Sequence, residues 1–131
     1  MAGAIAICYE TPTRFARYTV AEAVLIPKGT ILALTSPNTA AASSADDEPC
    51  AGIAWMEKVG GDGTTVITAA LNGVWGLKCS AAGITVGNQV GINGANEIKV
   101  YSSVDDEKGW TMGRALETVV GAVVLKVRVN V

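Results

Sequence analysis

The chain has 131 residues, which suits one domain and leaves little room for two. Half of it is hydrophobic and its mean hydropathy is +0.35, yet only 5% is aromatic, so any core must be built from small side chains, chiefly Ala and Val. A net charge of −2 argues against wrapping nucleic acid, and no run approaches the ~20 apolar residues of a membrane-spanning helix.

Small side chains each bury little area, at roughly 25 cal/mol per Å². Such a chain is expected to draw on partner subunits or a docking surface for part of its stability. The N-terminus lacks the basic region of a secretory leader, so the protein is expected to be made in the cytoplasm. Residues 1–17 are read as an extended N-terminal arm. Tyr9 to Arg17 is polar, interrupted by Pro12, and without a clean period. Arms of this kind are ordered by a partner, which makes Tyr9, Thr11, Pro12, Arg14, Phe15 and Arg17 the candidate contact residues. Residues 18–131 form a single β domain on this reading.

Within that domain Tyr18 to Ile26 reads as a strand, Pro27-Lys28-Gly29-Thr30 as a turn, and Ile31 to Thr35 as the return strand. Ser36 to Pro49 reads as an exposed loop with a short helical turn through its alanines. Ala51 to Val59 is a strand carrying Trp55, and Gly60 to Gly63 a turn. Asn72-Gly73 is a strong hairpin signal and predicts that Thr64–Leu71 pairs antiparallel with Val74–Cys79. Asn93-Gly94 marks another turn, before Ile98 and Val100. Val123 to Val131 alternates cleanly, with Val123, Leu125, Val127, Val129 and Val131 on one face.

Two passages match each other. Ile26-x-x-Gly29-x-x-Leu32-x-Leu34 recurs as Ile84-x-x-Gly87-x-x-Val90-x-Ile92, and Gly52-x-Ala54 recurs as Gly113-x-Ala115. Two copies are too few for a solenoid, so they imply pseudo-symmetry inside one domain. The expected fold is all-β: a small β-sandwich or β-barrel with two similar halves.

The residues carry little chemistry. The absence of His removes the usual triads, dyads and imidazole metal sites. No S-x-x-K or G-x-S-x-G motif occurs, and the Gly60 to Gly63 run lacks phosphate-loop spacing. Cys8, Cys50 and Cys79 make an odd count without C-x-x-C spacing, so they read as small buried hydrophobes in a reducing compartment. Acidic neighbours would raise the Cys50 thiol pKa, the wrong direction for a nucleophile. The acidic clusters Asp46-Asp47-Glu48 and Asp105-Asp106-Glu107 lack a calcium-loop pattern and read as solvated loop tips. No catalytic residue, cofactor or metal is expected. Trp55 and Trp75 are expected in the core, and Trp110 is a possible surface anchor.

The stretch Asn72-Gly73-Val74-Trp75-Gly76-Leu77-Lys78, then Ala81 to Val90, Gly113-Arg114-Ala115-Leu116-Glu117 and the closing Val123 to Val129 resembles the capsid cement, or head decoration, proteins of tailed bacteriophages. Asn88 stands where that family usually has Asp. The resemblance implies a β-rich structural virion protein on the outer capsid surface, stabilising the shell against internal DNA pressure. It implies the major capsid protein as partner and a homotrimer on the shell; charge and hydropathy make neither nucleic acid nor membrane an expected ligand. The alternatives are another β-rich virion component, such as a tail or connector element, and a glycan-binding β module using the Trp residues.

Overall fold

The computed structural model describes residues 5–45, 48–100 and 111–131. Among these are eleven strands: β1 (Ile7–Glu10), β2 (Phe15–Thr19), β3 (Ile31–Ser36), β4 (Thr39–Ala42), β5 (Cys50–Ala54), β6 (Val66–Ala70), β7 (Asn72–Cys79), β8 (Gln89–Ile92), β9 (Glu97–Val100), β10 (Gly113–Ala115) and β11 (Val124–Asn130).

β2 to β6 close into one barrel in the order β2-β4-β3-β5-β6, and β7 to β11 close into a second in the order β7-β9-β8-β10-β11. Each ring has four antiparallel seams and one parallel seam, which joins its first and third strands: Thr19 faces Thr39 in the first, and Lys78 faces Glu97 in the second. The all-β, two-halved architecture read from the repeats is therefore present, with the halves as barrels.

The repeat extends to individual hydrogen bonds. Gly29 N–H donates to the Ala54 carbonyl at 2.8 Å, and Gly87 N–H to the Ala115 carbonyl at 2.9 Å. Ala54 N–H returns to Thr30, and Ala115 N–H to Asn88. Ile26 bridges Lys58 as Ile84 bridges Val119. Glycine is required twice over in the G-x-A motif. A Cβ on Gly52 would stand 2.6 Å from the Ala70 carbonyl oxygen, and one on Gly113 would overlap the Arg128 carbonyl oxygen. In both barrels this is where the fourth strand meets the fifth.

The small residues have a purpose in the packing. Alternation along β3 sends Leu32 into the first barrel and Ile31 and Ala33 outward against the second. Likewise Ala69 faces inward and Ala70 outward. Every residue of β5 is buried because both its faces are covered, which is why Cys50–Ala54 shows no polar alternation. One apolar cluster thus joins the second barrel's interior to the wall of the first, with Trp75 and Leu77 in it. On β11, Leu125, Val127 and Val129 are buried as the alternation predicts, while Val123, just before the strand, is exposed.

Several expectations are corrected. Residues 7–10 and 15–19 are not a free arm: β1 pairs with β7 of the second barrel, and β2 is a wall of the first, so the boundary at residue 17 falls inside a strand. Room for β1 comes from glycine. A Cβ on Gly73, whose φ is +109°, would lie 2.7 Å from the Glu10 carbonyl oxygen. Residues 20–25 are an irregular stretch with a turn at 22–23, Ile26 makes an isolated bridge, and β2 pairs with β4 and β6 rather than returning on β3. Thr39–Ala42 is a strand, not a helical turn; Asn38 adopts a left-handed φ of 52° to close the β3–β4 hairpin. The strand carrying Gly52-x-Ala54 ends at Ala54, leaving Trp55 half-buried beyond it. β6 and β7 do not pair, because Asn72 is used elsewhere. Its Oδ1 accepts the N–H groups of Thr13 and Arg14 at 2.8 and 3.0 Å, and its amide donates to Thr13 Oγ1 at 2.8 Å.

Lys58, which carried no signal in the sequence, is 3% exposed. Its ammonium donates to the carbonyls of Glu22, Val24 and Val59 at 2.6, 3.0 and 3.2 Å, tying down the turn-rich segment before Ile26. Removing a donor from buried acceptors costs their desolvation. Lys58→Met is expected to lower unfolding stability by about 3 kcal/mol in urea titration. Gly113→Ala is expected to cost about 2 kcal/mol through overpacking. Gly61→Ala, with open space at its Cβ, costs only about 1 kcal/mol from its left-handed backbone. Equal losses at the two glycines would show that the β10–β11 approach is not tight.

Candidate docking surface

The six candidate contact residues lie on two faces. β1 projects Tyr9 outward, where its ring covers Gly76 and lies 4.8 Å from Lys126 Nζ. Glu10 makes an exposed ion pair with Arg128 at 3.1 Å. Thr11 and Pro12 form the crossover to the first barrel, with Thr11 exposed and Pro12 buried. Arg14 is turned to the protein itself: its Nη2 donates to Asn130 Oδ1 at 2.6 Å and to the Val131 carbonyl at 3.2 Å. Pro12 and Arg14 therefore fasten the crossover. Trp110 lies outside the described residues, as do the acidic positions 46, 47 and 105–107.

Phe15 and Arg17 sit on the outer wall of the first barrel. Strand alternation places both outward on β2, and Thr68 stands opposite Arg17 on β6. Trp55 completes the face, since the chain leaves β5 at Ala54 and lays the indole beside Phe15. The Phe15 and Trp55 ring centroids are 5.5 Å apart and tilted by 56°. Lys28 Nζ lies 4.5 Å over the Trp55 ring, a cation–π distance. Phe15, Ala16, Arg17, Trp55 and Thr68 line a shallow cleft of about 470 Å³. Phe15 is 44% exposed, high for its size.

This face is anchored to the core. Trp55 meets Trp75 edge-on, at 6.1 Å and 88°, and Trp75 Nε1 donates to the Asn72 carbonyl at 3.1 Å. The expected burial holds for Trp75 but only in part for Trp55, which bridges core and surface. A rigid aromatic pair flanked by cations is suited to gripping a partner by shape and charge, as interface anchors do. Trp55 was legible as an aromatic; its pairing with Phe15 was not, because 40 residues separate them and the local pattern placed Phe15 on an arm.

Among the described residues no group of three His, Cys, Asp or Glu side chains converges to hold a metal. Burial pushes the Cys50 thiol up to about 12, rather than the acidic neighbours invoked from sequence. Cys79 is also buried, with its sulfur donating to the Gly121 carbonyl at 2.8 Å. The carboxyl of Asp62 is held below its ordinary range mainly by hydrogen bonds from Thr64, a turn interaction on an exposed loop.

No protein-family model and no curated protein matches the chain. Among solved structures, the fold is similar to the N base of the head fiber gp8.5 of bacteriophage phi29. The TM-score is 0.56 at 13% identity, and the match covers 89% of this chain and 95% of that one. At that identity the likeness is one of fold.

Thiol reactivity checks the burial described above. At pH 8 a pKa near 12 leaves roughly one Cys50 thiol in ten thousand ionised. A thiol-selective disulfide reagent is expected to label half-buried Cys8 in the folded protein, and Cys50 and Cys79 only after denaturant. Prompt labelling of Cys50 in the native state would show that the shared wall between the barrels opens readily.

Proposed function

We propose that this chain is a structural virion protein of a phage head, docked on the outer capsid surface as a homotrimer and bracing the shell against the pressure of packaged DNA. The observation that carries the reading is the two-barrel fold, shared along nearly the whole chain with a phage head-fiber base. The cement-protein resemblance of Asn72 to Val129 points to the same place independently. The exposed Phe15–Trp55 pair with Arg17 and Lys28 supports a docking role, and the major capsid protein is the proposed partner.

The physics of the role asks for binding and stiffness, not chemistry. A protein that binds assembled shell subunits, and not separated ones, stabilises the assembly by mass action. Repetition over the lattice lets modest contacts act together. Two closed barrels with a shared apolar wall make a body that transmits load without rearranging.

Purified protein mixed with undecorated shells is expected to co-sediment at a fixed copy number per lattice position and to raise the temperature at which the shells rupture. Trp55→Ala is expected to weaken that binding at least tenfold while the protein stays folded. Wild-type protein that remains in the supernatant at all concentrations would refute the head-surface reading.

A further inference from the structure

The two barrels share one pairing scheme but not one set of neighbours. The β7–β11 seam is flanked by bonds from Cys79 N–H to the Val123 carbonyl and from Val131 N–H to the Leu71 carbonyl. Antiparallel pairing alternates, so Val74, Gly76 and Lys78 turn their backbone groups to the opposite edge of β7. That edge is shared: β1 takes Val74 and Gly76, and β9 takes Lys78.

The same reasoning applies to β2. Leu71 N–H donates to the Arg14 carbonyl at 2.9 Å, and Val20 N–H to the Thr65 carbonyl at 2.8 Å. The even-numbered residues therefore face β6, while Phe15, Arg17 and Thr19 face the other way. Thr19 is taken by β4, through its N–H to the Asn38 carbonyl at 2.8 Å and the Thr19–Thr39 pair. Superposing that pair on Lys78–Glu97 makes Phe15 the counterpart of Val74 and Arg17 the counterpart of Gly76. Among the described residues no strand pairs with Phe15 or Arg17 on this edge. Among the described residues, the place that β1 fills on β7 has no occupant on β2.

We propose, resting on the head-surface reading, that an extended segment of the shell protein adds to this edge as an antiparallel strand beside Phe15–Arg17. The chain's own β1 shows what the slot accepts. It carries a small residue inward at Cys8, bulky apolar residues outward at Ile7 and Tyr9, and a carboxylate at its end, where Glu10 meets Arg128. Around β2 the rings of Phe15 and Trp55 supply the apolar surface, and Arg17 and Lys28 supply cations. The occupant is accordingly an alternating apolar segment bearing a carboxylate. A second copy presenting this same edge would bring the two copies' Arg17 and Lys28 together, and like charges there oppose it. Main-chain bonds give affinity in such strand addition, and side-chain fit gives selectivity.

The test uses undecorated shells and two variants. Arg17→Pro deletes an edge donor and leaves the Ala16 and Tyr18 N–H groups, which face β6, in place; proline is tolerated at such edge positions. Arg17→Thr removes the charge and keeps the donor. The expected result is that Arg17→Pro binds shells at least tenfold more weakly than Arg17→Thr, at an unchanged unfolding midpoint. In wild type, mass-detected hydrogen exchange across residues 13–19 is expected to slow on shell binding, which serves if the proline variant fails to fold. Equal binding by the two folded variants, or unchanged exchange in the bound wild type, overturns the inference and leaves the head-surface reading standing. Slowed exchange that follows protein concentration without shells assigns the edge to a second copy and overturns it too. Wild-type protein that does not bind shells overturns both.

Discussion

One edge of β7 holds two strands, and the rest of the molecule depends on that arrangement. At eight residues β7 is the longest strand described. Its lower half pairs with β1 and its upper half with β9, so the same backbone closes the second barrel and holds the start of the chain. Because the chain then crosses from β1 to β2, the first barrel is fastened to the second before its own ring begins. Asn72 at the foot of β7 secures the crossover by accepting two backbone N–H groups, and Arg14 ties it again at Asn130. The shared apolar wall fills in behind these ties. Small residues such as Ala33, Cys50 and Ala70 sit there beside Ile31 and Ile53, since β3 and β5 are packed on both faces.

The aromatic surface depends on this frame in turn. Trp75 belongs to β7 and lies in the shared cluster. Trp55 leans on it edge-on, and Phe15 leans on Trp55. The exposed rings are therefore held by a chain of contacts that ends in a largely buried strand. Rings fixed in this way lose little freedom when a partner covers them, which favours docking.

Much of the fold was legible because it is repeated. Gly29 and Gly87, and Gly52 and Gly113, mark the same turns and the same strand approaches in two barrels, so local demands wrote the same letters twice. The closing strand was legible because one of its faces is solvated and its alternation is clean. Where the reading failed, a distant partner had overridden a local preference. Asn72-Gly73 has the chemistry of a hairpin, yet its side-chain amide serves residues 13 and 14, and its glycine makes room for Glu10. The repeat could have exposed this: Ile84 lies 58 residues after Ile26, which sets Asn72 against the approach to β2 and makes it the start of a second copy. Residues 7–17 looked like an arm because strands of four and five residues show little periodicity, and Pro12 divides them. Lys58 was illegible because its three acceptors are main-chain carbonyls, which no side-chain pattern reveals. Of the residues expected at a contact, Phe15 and Arg17 lie together on the outer wall of the first barrel, whereas Pro12 is buried and Arg14 is bonded to Asn130 and Val131.

The seam between β7 and β11 pairs seven consecutive residues, from Val124 against Lys78 to Asn130 against Asn72. A pull directed along those strands is divided among all of their rungs at once, whereas a pull at right angles meets them singly and unzips them in turn. The second barrel is consequently tough along one axis and weak along the other. The angle at which such a body is seated decides how much tension it withstands before it tears.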